Sequence, residues 1–277
     1  MMQVLGEHGL RMPQLGLGTY TLKGAACRAS VESAIGLGYR HIDTAQMYGN
    51  EEDVGAAIAA SGLREQIHLT TKVWHTNLAP DALARSFDES LAKLRTSYVD
   101  LYLIHWPSPT MAADLPAAMA VMQRLHAQGL ARAIGVSNFP VALLRQAIEQ
   151  IGAPIACNQV EFNILHGQTA VLNYARAHGV VVTAYAPLGK GRVLDHPELA
   201  RIAARHGARP AQIALAWLLR QPGVAAIPKA GGIDNQRANL DALKIVLDAE
   251  DVAALDALPK DQRNVSAGNW IAWDHPG

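Results

Sequence analysis

Four residues have side chains suited to chemistry at positions where short apolar runs end: Asp43, Tyr48, Lys72 and His105. The stretch H-I-D-T-A-Q-M-Y-G-N-E-E-D-V-G at 41–55 finishes a run on an acid, then sets a phenol just before a helical pattern. A phenol alone is a poor acid near neutrality, because its ordinary pKa is about 10. A neighbouring ammonium favours the phenolate and lowers that value, and an aspartate paired with the ammonium keeps it charged in a buried place. A histidine beside them can hydrogen-bond a substrate oxygen and orient it. The set suits protonation of an alkoxide as it forms on a carbonyl, with a hydride delivered by a cofactor. Singly, each residue has a plain structural use: Asp43 as a turn cap, Tyr48 as packing under its loop, Lys72 in an ion pair, His105 as a core histidine. Four together on neighbouring strand ends point to a site. The chain has no carboxylate pair at glycosidase spacing, no H-E-x-x-H and no serine elbow.

Such a group must be held by a scaffold, and the periodicity supplies one. Strand patterns fall at 15–18, 40–43, 67–72, 99–105, 131–136, 155–160, 180–184 and 224–227. Helical patterns alternate with them near 25–37, 51–60, 80–94, 115–128, 140–150, 168–178, 210–220 and 235–242. Asn50 before Glu51, Glu52 and Asp53 reads as a capped helix start with acids at the positive end of the dipole. Eight βα repeats without a composition break predict an α/β fold, a (β/α)8 barrel, as a single domain over 1–277. Residues 1–12 read as a hairpin turning at His8-Gly9 and closing the base, and 260–277 as a C-terminal loop. The competing doubly wound sheet should carry a phosphate fingerprint after its first strand. G-L-G-T-Y-T at 16–21 lacks the third glycine and a helix behind it.

In a barrel, catalytic groups collect at the C-terminal strand ends. There this chain places Asp43, Lys72, His105, Ser137, Asn138, Gln159, Tyr185 and Lys229, with Tyr48 on the second loop.

Composition narrows the class. The 277 residues are half hydrophobic, and 24 basic residues match 24 acidic ones, so no footprint for nucleic acid or an anionic membrane is present. No signal-peptide layout or membrane-length apolar run occurs. Cys27 and Cys157 sit among apolar or small residues and make no metal spacing, so they read as buried, unreactive thiols. No metal is expected. A cytoplasmic protein acting on a small molecule, as a monomer, is the expectation.

Seven segments in order resemble the aldo-keto reductase family over nearly the whole chain: D-T-A-x-x-Y-G-N-E at 43–51, T-K-V-W at 71–74, L-I-H-W-P at 103–107, G-V-S-N-F at 135–139, N-Q-V-E-F at 158–162, A-Y-A-P-L-G at 184–189 and I-P-K at 227–229. The resemblance implies a (β/α)8 barrel that binds NADPH without a Rossmann fingerprint. It implies Tyr48 as general acid, Lys72 and Asp43 as its tuning pair, and His105 as the carbonyl-orienting donor. Ser137, Asn138 and Gln159 would meet the nicotinamide carboxamide, and Tyr185 would stack on the ring. Leu188 would meet the pyrophosphate, Lys229 the 2′-phosphate and Asn239 the adenine.

One stretch departs from the family pattern. Where many relatives carry a small hydroxyl residue and then an arginine after I-P-K, this chain has Ala230 and Asn235. Arginine's planar fork suits a phosphate, so its loss implies a narrower margin of NADPH over NADH, with Arg237 as a substitute contact. Asp234 reads as a helix start. Tyr20, Trp74, Trp106 and Trp270 are placed to wall the pocket. The short loops resemble those of compact prokaryotic members, 2,5-diketo-gluconate and methylglyoxal reductases among them, which implies small aldehydes, α-dicarbonyls and keto-sugars as substrates. Two other classes fit a barrel: a Schiff-base lyase using Lys72, and a nucleotide-sensing protein with idle chemistry.

Overall fold

The computed structural model describes residues 4–6, 8–265 and 270–274. Strands β1 (Val4–Leu5) and β2 (Met12–Pro13) pair antiparallel, and His8 and Gly9 between them take φ of 51° and 82°. Two successive left-handed residues give a turn whose twist matches the flanking strands. The expected hairpin is therefore present; residues 1–3 and 7 of it lie outside the described residues.

Eight parallel strands follow in chain order: β3 (Leu17–Gly18), β4 (His41–Asp43), β5 (His68–Val73), β6 (Leu101–Ile104), β7 (Ile134–Ser137), β8 (Ile155–Glu161), β9 (Val181–Tyr185) and β10 (Val224–Ala226). Parallel bridges Leu15↔Ala226 and Gly18↔Lys229 join the first to the last, with Gly16 N donating to Ala226 O at 2.9 Å. A Cβ on Gly18 would lie 2.6 Å from Ile227 O, so this seam closes only around a glycine. The sheet is a closed barrel, which excludes the doubly wound alternative.

Alternation along the strands makes two cores. Outward residues pack under the helices. Inward ones (Leu101, Leu103, Ala133, Cys157, Val181, Ala225) meet Leu5, Leu10 and Met12 of the hairpin, which plugs the base. Each buried Leu, Val or Met among them contributes roughly 1.5–3 kcal/mol. Cys27 and Cys157 are buried and free, and burial pushes their thiols up to about 11 and about 12, as expected of inert cysteines.

The helices are α1 (Gly24–Gly36), α2 (Glu51–Ser61), α3 (Pro80–Leu94), α4 (Met111–Ala127), α5 (Val141–Arg145), α6 (Thr169–Ala177), α7 (Pro197–Arg205), α8 (Pro210–Leu219), α9 (Ile233–Asp241) and α10 (Ala249–Asp256). The pattern at 115–128 began too late because Pro116 sits inside α4. Proline removes the donor to Ala112 O, and Gln146 Nε2 donates to that carbonyl instead, at 2.6 Å. Helices α7 and α10 were absent from the sequence expectation. They join through Arg205, which pairs with Asp248 at 2.7 Å and Asp251 at 2.9 Å, while His206 meets Asp251 at 2.6 Å. His196-Pro197-Glu198 and Asp248 with Asp251 are start signals that could have shown both.

Asn50 does not cap α2 with its side chain. Its Nδ2 donates to Thr19 O and Leu22 O, and its Oδ1 accepts from Thr44 Oγ1 at 2.6 Å. The buried carbonyls of the neighbouring loop claim the amide, leaving the dipole to Glu51, Glu52 and Asp53.

Candidate active site

The C-terminal strand ends bring the four candidate catalytic residues together. Asp43 ends β4 and Lys72 lies one residue before the end of β5, both pointing into the barrel and fully buried. Lys72 Nζ donates to Asp43 Oδ1 at 2.5 Å, to Thr44 O at 2.8 Å and to Tyr48 Oη at 3.3 Å. Three donated bonds leave the nitrogen no lone pair for a Schiff base. Tyr48 ends a single 3-10 turn, Gln46–Tyr48, and Gly49 leaves it with φ 59°, the left-handed step that turns the chain into α2. Lys23 Nζ donates to Tyr48 O and fastens this turn to the loop before α1. His105 follows β6, its ring centroid 5.4 Å from that of Tyr48 and edge-on to it.

The electrostatics refine one expectation. Burial pushes the Tyr48 phenol well above its ordinary value, and Asp43 adds to the rise. The lowering expected from Lys72 is thus outweighed, because desolvation of a phenolate at this depth exceeds the attraction of an ammonium already paired with Asp43. The phenol is a fully protonated donor. Burial pulls Lys72 down while Asp43 opposes it. Burial also holds His105 well below the usual imidazole range, with Lys72 and His75 contributing, so the ring is neutral. Its Nδ1 is buried without a partner among the described residues.

The residues expected around a nicotinamide form one connected set. Ser137 Oγ donates to Gln159 O at 2.7 Å, and Asn138 Nδ2 donates to His105 O and to Ser137 Oγ, each at 3.0 Å. Tyr185 Oη donates to Asn138 Oδ1 at 2.7 Å, fixing the plane of its ring. Asn138 holds φ 64°, a left-handed conformation that asparagine tolerates better than most residues. Gln159 Nε2 donates to Asp43 Oδ2 at 2.7 Å. A flat, half-buried aromatic face beside amide and hydroxyl oxygens fits a nicotinamide ring and its carboxamide.

Leu188 precedes the turn Gly189–Asp195 after β9. Lys229 is exposed after β10, whereas Asn239 is buried in α9 beside the Tyr39 hydroxyl. Asn235 and Arg237 are exposed on the same helix, and Arg237 reaches Asp234 only loosely, at 3.8 Å.

The pocket candidates separate by exposure. Tyr20 is 50% exposed, its ring 5.1 Å from Tyr48, and Trp74 lies 5.3 Å from His105. Trp270, 41% exposed, donates from Nε1 to Pro107 O at 3.1 Å, so the tail folds over the mouth. Trp106 is 6% exposed and packs edge-on against Trp273, which makes it a support behind the wall.

Sequence reasoning passed over Glu161. This fully buried carboxylate accepts from the backbone N–H of Asn264 and Val265 and from Asn264 Nδ2, at 2.8–3.0 Å. The segment expected to be a loop is therefore tied down where it leaves α10, and residues 266–269 and 275–277 lie outside the described residues. Two steps after inward Gln159, the strand period would have pointed Glu161 into the same space. Among the described residues no group of three or more metal-ligating side chains could hold an ion, and no helix is long and apolar enough to cross a membrane.

This geometry agrees with what the chain resembles. The model of the Aldo/keto reductase family matches residues 14–260. The methylglyoxal reductase DkgB of Salmonella typhimurium is 46% identical over 268 residues, 96% of this chain and all of that one. The glyoxal reductase of Bacillus subtilis is 39% identical over 259 residues, 93% and 92% of the two chains. A crystal structure described as a 2,5-diketo-D-gluconic acid reductase B superposes with a TM-score of 0.95 at 39% identity, covering 99% and 98%. A variant of Gox0644 solved in complex with NADPH gives 0.90 at 34%, covering 96% and 97%. With its closed barrel and a lysine–aspartate–tyrosine–histidine group at the strand ends, the chain belongs to the aldo/keto reductase family and is an oxidoreductase that reduces carbonyl groups to alcohols.

Proposed function

We propose that the chain reduces small aldehydes, α-dicarbonyls and keto-sugars with NADPH, Tyr48 acting as the general acid. The observation that carries this is the position of Lys72 Nζ, 2.5 Å from Asp43 Oδ1 and 3.3 Å from Tyr48 Oη. NADPH, when bound, would supply the hydride for the carbonyl carbon. The proton reaches the oxygen from Tyr48 Oη, and the two additions complete the alcohol. A raised phenol pKa keeps that proton in place until charge develops on the substrate oxygen. The phenolate left behind stands beside the Lys72 ammonium, whose own charge is balanced by Asp43. Neutral His105 donates to the same oxygen and orients it.

Ser137, Asn138, Gln159 and Tyr185 would hold the nicotinamide, and Leu188, Lys229 and Asn239 the rest of the dinucleotide. Lys229 would be the cation for the 2′-phosphate, with Arg237, exposed on α9, as a second contact. Exposed Asn235 supplies no charge there, which supports a modest preference for NADPH over NADH. Two buried, free cysteines suit the cytoplasm.

The test is NADPH oxidation followed at 340 nm with methylglyoxal, glyoxal and an aromatic aldehyde. Turnover with the dicarbonyls is the expected result. Tight NADPH binding without turnover of any carbonyl would move the reading to a nucleotide-sensing protein.

A further inference from the structure

His75 is an imidazole at the mouth of the site that the reaction as described does not use. It lies two residues beyond β5 and directly after Trp74. Its ring centroid is 4.6 Å from the Trp74 indole and 6.0 Å from the Trp270 indole, so two aromatic planes fix its position from opposite elements. The other side of the arrangement is equally defined. Trp74 also packs against His105, centroids 5.3 Å apart, so the two imidazoles flank the same indole. His105 orients the reacting oxygen, and His75 stands one ring further out.

Neither ring nitrogen of His75 has a hydrogen-bond partner among the described residues, and the side chain is half-buried. Packed against two tilted indoles, its polar edge is available to whatever occupies the mouth. Partial burial also lowers its pKa, so the ring stays neutral and offers one N–H donor and one bare nitrogen acceptor. A neutral histidine is suited to reading hydroxyl and carbonyl oxygens. It gives no ion pair to a carboxylate.

We propose that His75 is a specificity-determining residue that hydrogen-bonds a second oxygen on the substrate, near the reacting carbonyl. The inference rests on the reductase reading above and deepens it. It selects carbonyl compounds bearing another carbonyl or hydroxyl group, such as vicinal dicarbonyls and hydroxy-ketones, over simple aldehydes of equal length. A site built to hydrogen-bond an oxygen disfavours the analogue without it, because its polar edge is then left unpaired on binding. Trp74 and Trp270 serve this role by holding the ring.

The experiment compares kcat/KM for methylglyoxal and propanal, which have the same carbon count, in the unaltered enzyme, in His75→Phe and in His75→Gln. Phenylalanine keeps an aromatic ring between the indoles and removes both nitrogens; glutamine restores a donor and an acceptor. The expected result is a fall of about tenfold for methylglyoxal in His75→Phe, the scale of one net hydrogen bond. Propanal should stay within about twofold, and His75→Gln should recover part of the loss. NADPH binding by fluorescence confirms that each variant is folded. Equal losses on both substrates would make His75 a packing residue and overturn the proposal, as would no change on either. Absence of NADPH oxidation in the unaltered enzyme with either carbonyl would remove the reductase reading itself, whatever the variants do.

Discussion

Gln159 and Asp43 are joined across the barrel: Gln159 Nε2 on β8 donates to Asp43 Oδ2 at 2.7 Å, while Lys72 on β5 takes Oδ1 at 2.5 Å. The aspartate is thus gripped from two sides in a plane the barrel fixes. A residue expected only to face the cofactor also holds the charge that balances the Lys72 ammonium. The proposed cofactor seat and proposed proton donor are therefore mechanically one unit, and disturbance on either side should reach the other.

Asp43→Asn leaves the Lys72 ammonium buried without a counter-charge, and the loss should be about 3–5 kcal/mol of stability. Lys72→Met should cost a similar amount by stranding the carboxylate. The double variant, with both charges gone, should recover much of the stability and none of the turnover. Urea unfolding beside a rate assay reads both; additive losses in the double variant would show that the two charges act independently.

Glu161→Gln replaces a carboxylate that accepts three N–H groups from the C-terminal segment. Hydrogen bonds to a charged group are worth about 1.5–3 kcal/mol, so the segment at 261–265 should open more often. Faster proteolytic cleavage there under native conditions is the expected result. Cleavage unchanged from the parent would mean that other contacts hold the tail, among them the Gln262 N–H bond to Leu165 O and the Trp270 bond to Pro107 O.

Stability should decline as the solution is made acidic, with His166 one cause. Burial pulls its folded pKa down to about 4, below the ordinary 6.5. Between those values the unfolded chain takes up the proton that the folded chain refuses, so stability present above about pH 6.5 is lost progressively toward pH 4. The contribution is at most about 3 kcal/mol. His166→Gln should flatten the fall in urea midpoint between pH 7 and pH 4.5. An unaltered slope would assign the loss to other buried histidines, His41, His68 and His105, which burial lowers in the same direction.

For the cofactor, Asn235→Arg should raise the NADPH over NADH ratio of kcat/KM by about tenfold, since a charge-assisted fork adds roughly a hydrogen bond to an ion. Lys229→Ala should lower that ratio. A parent ratio already several thousandfold would contradict the weakened phosphate site read from Ala230 and Asn235.

The barrel was legible because its signals are periodic and local. Short, continuously apolar runs alternating with helical patterns at 3.6-residue spacing give eight repeats, and the strand ends fell within three residues of the structure. That Asp43, Tyr48, Lys72 and His105 gather in one place was legible because unlike polar residues at and just after apolar strand ends have few structural uses in common. What escaped depends on contacts distant in sequence. Glu161 meets residues about a hundred positions away, and Asn50, a good cap by type, is drawn off by the carbonyls of Thr19 and Leu22. The sign of the Tyr48 shift escaped for a related reason: the ammonium was visible in the sequence, while the depth of burial was not.

The most direct test of the account is the Tyr48→Phe variant, assayed for methylglyoxal reduction by NADPH beside the cofactor's dissociation constant. Losing the general acid should cut kcat by about 10²–10⁴-fold, with NADPH binding close to that of the parent. A variant that turns over at the parent rate would contradict the account, leaving the barrel in place and the proton donor elsewhere.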